Sequence, residues 1–290
     1  MRWMVTGARG MLGQDLVRHL QDRGEGVTAV DREHLDITDE TAVRAAVPGH
    51  DVVVNCAAWT AVDDAESDEA AAFAVNAVGP QLLARAARAG GARMVHISTD
   101  YVFDGRGSTP YPEGAAAAPS SAYGRTKAAG EWAVRAETPD HLVVRTAWLY
   151  GAGGACFPRT IARAAAERGS LQVIDDQRGQ PTWTRDLAAL VVGLVDHDAP
   201  SGTYHGTASG ETTWFAFARA VVAAAGMSPD LVSPTTSDVY VRPAPRPAYS
   251  VLGHEALERI GLEPIADWRH RWAAAAADVL HGLTGAHPAS

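Results

Sequence analysis

The chain has 290 residues, 47% of them hydrophobic and 20% charged, with a formal net charge of −9 at pH 7. That balance provides for a substantial core and excludes an intrinsically disordered chain. The negative charge argues against a broad nucleic-acid or anionic-membrane surface, so neither is expected as a partner.

Two cysteines, Cys56 and Cys156, give no disulfide framework and are expected as free thiols in a reducing compartment. The 11 histidines show no HxH or HxxxH pair, so no metal site is expected from sequence spacing. No apolar run approaches the roughly 20 residues of a membrane span. "MRWMVTGARG" meets glycine before an apolar stretch of signal-peptide length, and the expected location is the cytoplasm.

In chain order, "RWMVTG" reads as a buried strand and "GMLGQDLVRHLQDRG" as a helix, with Leu12, Leu16 and Leu20 at helical spacing before Gly24. "GVTAVD" is a second strand ending in Asp31, "ETAVRAAV" a short helix and "HDVVVNCAA" a third strand. A helix through "DEAAAFAVNAVGPQLLARAARAG" follows. The strands "RMVHIST" and "HLVVRTAWLYG" then flank a helix near "GRTKAAGEWAVRA". Continuous apolar strands alternating with helices predict an α/β fold, a doubly wound parallel sheet of Rossmann type, with a smaller C-terminal lobe.

The expected division gives residues 1–150 to the dinucleotide-binding domain. Residues 183–226 return to complete its sheet, through "GTYHGTAS" as a strand and "TTWFAFARAVVAAAG" as a helix. Residues 151–182 and 227–290 form the substrate-binding lobe. Within it, the prolines of "SPTTSDVYVRPAPRPAYSVL" exclude a central strand or a helix and predict an extended segment.

"TGARGMLG" places Gly7, Gly10 and Gly13 between the first strand and the first helix. The loop running through Arg9, Met11 and Leu12 to Gly13 can bring backbone N–H groups and a helix N-terminus to a pyrophosphate. Asp31, at the end of the second strand, suits an adenosine ribose, which favours NADH. Arg32 and Arg9 suit a 2′-phosphate and favour NADPH, so the choice stays open. Asp36 and Ile37 of "LDIT" are candidates for the adenine edge and face. Ala57 and Ala58, followed by Trp59, end the third strand with small residues where a cofactor must pass.

Lys127 is the only lysine among 25 Lys and Arg residues and stands four residues after Tyr123. On a helix the two share a face. An ammonium beside a phenol favours the phenolate, so Lys127 is expected to lower the pKa of Tyr123 and to reach a ribose hydroxyl with a compact charge that arginine lacks. Thr99, at the end of "HISTDYVFDG", is placed to donate to the same carbonyl oxygen. Thr99, Tyr123 and Lys127 are therefore the candidate catalytic residues for carbonyl reduction by a nicotinamide.

The glycine loop, "NCAAWTAVDDAE", "VNAVGP", "STDYVFDG", "YGRTK" and "RTAWLYG", in that order, resemble the extended short-chain dehydrogenase/reductase family, and within it the dTDP-4-dehydrorhamnose reductases. The resemblance is densest over residues 1–190. It implies NAD(P)H-dependent reduction of the C4 ketone of a dTDP-4-keto-6-deoxyhexose, with dTDP-4-dehydro-L-rhamnose as the leading substrate. It also implies cofactor contact at Asn76 and a sugar site lined by Thr60, Val62, Thr99, Tyr101, Tyr123 and Trp148.

Sugar 4,6-dehydratases of this family carry Asp-Glu after the threonine. Asp100 and Tyr101 stand there instead, which removes one proton-transfer group and favours reduction over elimination. Arg242 and Arg246 are candidates for the substrate diphosphate. Some family reductases use a metal at an acidic dimer contact, but Gln14 and Asp15 occupy that neighbourhood here, so the resemblance leaves a bound metal in doubt. A homodimer stays open. So do a reductase for another dTDP-ketosugar, an epimerase that retains NAD, and a cofactor-binding regulatory subunit of the kind associated with methionine adenosyltransferase.

Overall fold

The computed structural model describes residues 1–283, so the last residues of the expected C-terminal lobe, 284–290, lie outside it. Strands β1 (Arg2–Thr6), β2 (Gly26–Val30) and β3 (Val52–Asn55) are joined by α1 (Met11–Asp22) and α2 (Glu40–Ala46). Next come the short helices α3 (Asp64–Ser67) and α4 (Glu69–Phe73), a π-helical turn Ala74–Val78, and α5 (Gly79–Gly90). Strand β4 (Arg93–Thr99), helix α6 (Ala122–Glu137) and strand β5 (His141–Thr146) complete the first half.

The second half contains β6 (Leu149–Tyr150), α7 (Phe157–Arg168), β7 (Leu171–Ile174), β8 (Arg178–Gly179), β9 (Thr182–Trp183) and α8 (Thr184–Asp196). It continues through β10 (Gly202–His205), β11 (Ala208–Ser209), β12 (Thr212–Thr213), α9 (Trp214–Ala224) and β13 (Val232–Thr235). The final elements are α10 (Glu255–Arg259), β14 (Ile265–Asp267) and α11 (Trp268–Val279).

Six strands form one parallel sheet in the order β10-β5-β4-β3-β1-β2. Helices cover both faces of the sheet, so Val52, Val53 and Val54 of β3 are all buried. One face packs Trp3, Val5, Leu16 and Leu20 with residues of α8 and the lobe, and the other packs Met4, Val53, Met94 and Leu83. The chain reverses direction across the sheet between β1 and β3. That switch point is where doubly wound sheets bind ligands, just beyond the carboxyl ends of the strands.

The strand expected through "GTYHGTAS" is broken: Gly202–His205 extends the sheet by pairing with β5, and Ala208–Ser209 pairs with β14 instead. Helix α9 behaves differently from its sequence expectation. It packs against α7, β7 and β13 of the lobe, because its apolar residues Phe217 and Val221 meet the aromatic cluster of Phe157, Trp268 and Trp272.

The strand predicted through "HLVVRTAWLYG" is also broken. It ends at Thr146 and resumes at Leu149, with Trp148 in the left-handed region at φ 46°. The proline-rich segment, expected to be extended, is a strand only at its start and then makes a 3₁₀ turn at Ser237–Val239. Its one strand, β13, pairs only with β7, where Pro234 interrupts no central ladder.

Candidate active site

The carboxyl ends of β1 and β3 meet at Gly7, whose φ is +67° and whose hypothetical Cβ would stand 2.6 Å from the Ala57 nitrogen. Only glycine tolerates both conditions. Gly13 is equally constrained, since a Cβ there would lie 2.3 Å from the Gly7 carbonyl oxygen. Helix α1 thus starts directly against the loop. Gly10, at its N-cap, carries no capping side chain, which leaves the first-turn N–H groups available to a ligand.

This loop is one wall of a cavity of about 1180 Å³ that runs from the sheet into the lobe. Gly7, Gly10, Met11, Leu12 and Gly13 line it, and so does Ala58. Farther in are Thr60, Val62, Thr99 and Tyr101, then Tyr123, Lys127 and Trp148. All three candidate catalytic residues and all six candidate sugar residues therefore face one space.

The other expected cofactor residues stand outside this wall. Arg9 is exposed and bridges Asp31 and Glu33. The Asp31 carboxylate also accepts from the Glu33 amide and pairs with His34, and the His34 contact holds its pKa below the usual carboxylate range. Arg32 is exposed, so Arg9 rather than Arg32 is the cation bound to the strand-end acid. Asp36 accepts from Thr38, and Ile37 is buried against Gly79.

Asn76 is fully buried, with its amide taken up by Trp59 and Thr126. It shapes the Ala57–Trp59 backbone from behind instead of facing the cavity. Its place in the π-helical turn fits the tendency of such turns to occur at functional sites.

Helix α6 carries Tyr123 and Lys127, the candidate acid–base pair. Ser121 caps it by accepting from the Gly124 amide, and the Ala122 amide donates to Glu66. Two glycines press it inward: a Cβ at Gly124 would lie 2.2 Å from the Tyr101 carbonyl oxygen, and one at Gly130 2.1 Å from that of Asn76. Tyr123 and Lys127, one turn apart, are consequently held at the cavity floor, with Lys127 only 2% exposed.

The electrostatics differ from the sequence expectation. Burial pushes the Tyr123 phenol up to about 12, opposed by the nearby Thr99 hydroxyl and reinforced by Asp100. Lys127 does not acidify it, because the ammonium donates instead to the Ile97 carbonyl at 2.7 Å. Burial brings Lys127 down to about 8, with Glu131 and Cys56 acting in the other direction. At neutral pH the pair is thus a neutral phenol beside a largely charged ammonium.

Thr99 donates to Asp100 at 2.9 Å and accepts from the Tyr101 amide. Asp100 is buried and pushed up to about 6 by desolvation, with its second carboxylate oxygen unpartnered. Tyr101 lies edge-on to Tyr123, with ring centroids 5.5 Å apart.

Several supporting residues carry no local sequence signal. Glu131 and Arg145 form a buried bidentate pair at 2.8 Å, and Ser98 donates to the same carboxylate. Asp63 receives Arg246 at 2.9 Å, Arg242 at 3.8 Å and the Ala244 amide. The two candidate diphosphate arginines therefore line the cavity and are tied to the loop that carries Val62. The spacing "VDDAE" held no hint of this, because the partners lie some 180 residues apart.

The rest of the acidic run has structural partners. Asp68 caps α4, Glu66 receives the Ala122 amide, and Glu69 pairs with Arg125. Gln14 donates to the carbonyls of Arg9 and Gly153, and Asp15 accepts from Thr184. No group of three or more His, Cys, Asp or Glu side chains could hold a metal ion among the described residues. No helix among them is long and apolar enough to cross a membrane.

A family model described as the RmlD substrate binding domain matches residues 1–281. The chain belongs to this family. Among RmlD relatives, it is 53% identical to a dTDP-4-dehydrorhamnose reductase of Streptomyces griseus over 275 residues, covering 92% of this chain and 90% of that protein. It is 50% identical to a probable dTDP-4,6-dihydroxy-2-methyloxan-3-one 4-ketoreductase of Streptomyces antibioticus, covering 97% and 96%. The crystal structure of dTDP-4-dehydrorhamnose reductase from Bacillus anthracis in complex with NADP superposes with a TM-score of 0.91 at 35% identity, covering 94% of this chain and 98% of that one.

Proposed function

We propose that the protein reduces the C4 ketone of a dTDP-4-keto-6-deoxyhexose with NADPH or NADH, converting dTDP-4-dehydro-L-rhamnose to dTDP-L-rhamnose. The observation that carries this reading is the meeting of Thr99, Tyr123 and Lys127 with the glycine loop on one cavity. The Gly7–Gly13 backbone fits a pyrophosphate, and the charged Lys127 fits a ribose hydroxyl. A reduced nicotinamide bound there supplies the hydride.

The chain's own residues supply the rest. Thr99 donates its one hydroxyl hydrogen to Asp100 in this structure, so it orients the carbonyl oxygen once that hydrogen turns from the Asp100 carboxylate to the bound ketone. Tyr123, neutral across the physiological range because burial holds it near 12, gives its proton to the oxygen as negative charge develops. Lys127 places positive charge beside the resulting phenolate once substrate and cofactor displace it from the Ile97 carbonyl. Arg242 and Arg246 serve the diphosphate of the substrate.

A reductase for another dTDP-ketosugar is the second reading, favoured by the Streptomyces antibioticus 4-ketoreductase that spans almost the whole chain. Oxidation of NADPH and of NADH by purified protein, with dTDP-4-dehydro-L-rhamnose generated in place, distinguishes the two. Turnover that falls at least about a hundredfold in Tyr123→Phe supports the reading. A folded wild type that binds cofactor but turns over no dTDP-ketosugar overturns it.

A further inference from the structure

Trp148 sits in the cavity wall with φ 46°, a backbone region that costs a bulky residue energy and that persists only where its surroundings enforce it. The surroundings are specific. The indole of Trp214, the first residue of α9, stacks on that of Trp148 with centroids 3.4 Å apart and planes 8° from parallel. Phe157 backs Trp214 at 4.5 Å. On strand β8, Gly179 leaves room for the Trp148 ring: a Cβ there would stand 2.5 Å from the indole. Two separate segments therefore hold the side chain that the main sheet's β5–β6 connection delivers, and a third, through Phe157, backs Trp214.

We propose that Trp214 is a positioning residue for sugar discrimination, holding Trp148 by face-to-face stacking so that its indole forms a fixed apolar wall of the substrate cavity. This rests on the proposed function for the identity of the sugar and deepens it by naming what sets the wall. Trp148 joins β5 to β6, whereas Trp214 begins α9 under a cap in which Thr213 accepts from the Ala216 amide. Thr213 itself donates to Asp175. The wall is thus anchored to the lobe, and its position follows α9.

The test uses Trp214→Phe, which keeps a planar face, and Trp214→Leu, which keeps bulk but not the face. In fluorotryptophan-labelled protein, the Trp148 resonance is identified by its loss in Trp148→Phe. Ring-current displacement of that resonance in wild type, relieved in Trp214→Leu, is the expected result.

For the nucleotide sugar, kcat/KM is expected to fall about tenfold in Trp214→Leu and to stay within about threefold of wild type in Trp214→Phe. NADPH affinity should be unchanged in both, a split that general loss of structure would not produce. An undisplaced Trp148 resonance, or kcat/KM unchanged in Trp214→Leu, overturns the proposal.

Calorimetric binding of dTDP-glucose without cofactor needs no turnover and so separates this inference from the reaction. If no ketosugar is reduced, the proposed function fails by itself. About tenfold weaker dTDP-glucose binding in Trp214→Leu still supports the wall, and equal binding overturns it.

Discussion

At the scale of single residues, Lys127 is paid for in stability. Its ammonium is buried and its pKa is brought from 10.5 to about 8, so between those values the unfolded chain binds the proton and the folded one releases it. Stability from this group therefore rises as the pH climbs from about 8 to about 10.5, and at neutral pH the charge costs the fold up to about 3 kcal/mol. Lys127→Met should lose turnover while melting no lower than wild type at pH 7, and its stability should lack the alkaline rise. Thermal melts from pH 7 to pH 10 read both. The lysine was visible in the sequence as the chain's only one. The sequence did not reveal that burial would raise the tyrosine's pKa, because desolvation depends on which surfaces close over the helix.

At the scale of elements, α6 works because it lies against the π-helical turn at van der Waals limits. Gly130→Ala would drive a methyl into the Asn76 carbonyl, 2.1 Å away. Backbone must then shift, and overpacking of this kind costs about 1–3 kcal/mol. We expect a lower melting temperature together with a fall in kcat, because the same shift displaces Lys127. An equivalent variant at Gly91, where a Cβ meets nothing within 4 Å, would carry only the strain of its positive φ. Steady-state kinetics on the two variants separates displacement of the site from simple loss of stability.

Period and turn residues made the helices and strands of the first half legible. The break at Trp148 was not, since β-branched and aromatic residues run straight through "HLVVRTAWLYG" and nothing local stops the strand. The stop comes from the lobe, through Trp214 and Gly179. Helix α9 was misplaced for a related reason: an all-round apolar helix names no neighbour, and the aromatic cluster that receives it is assembled from residues far away in sequence.

At the scale of the molecule, two histidines are buried without a partner for one ring nitrogen, His96 and His205. Burial pushes both below their usual value, His205 to about 3. Both remain neutral in the fold while the unfolded chain takes up protons near pH 6.5, so stability is lost as the pH falls below that value. Asp100 and Glu113, raised by burial, act in the opposite sense over part of the same range. A single variant isolates the histidine contribution: His205→Asn should flatten the acid loss by about 1.4 kcal/mol per pH unit between pH 6 and pH 4. Chemical denaturation at stepped pH measures it, and an unchanged slope would mean that His205 is protonated in the fold.

The pairing of β10 with β5 bears on modularity. The polypeptide leaves the sheet after Thr146, contributes β6 to β9 and α7, and only then returns through α8 to lay down the strand that covers β5. A gene fragment ending near residue 150 would therefore encode a five-stranded sheet whose β5 edge is bare and apolar, with Leu142, Val143 and Val144 all normally buried. Exposed edges of that kind recruit other chains. Residues 1–150 consequently have no cut point at which they could be exchanged as a cassette, because the strand that closes their sheet is laid down only after β6 to β9 and α8.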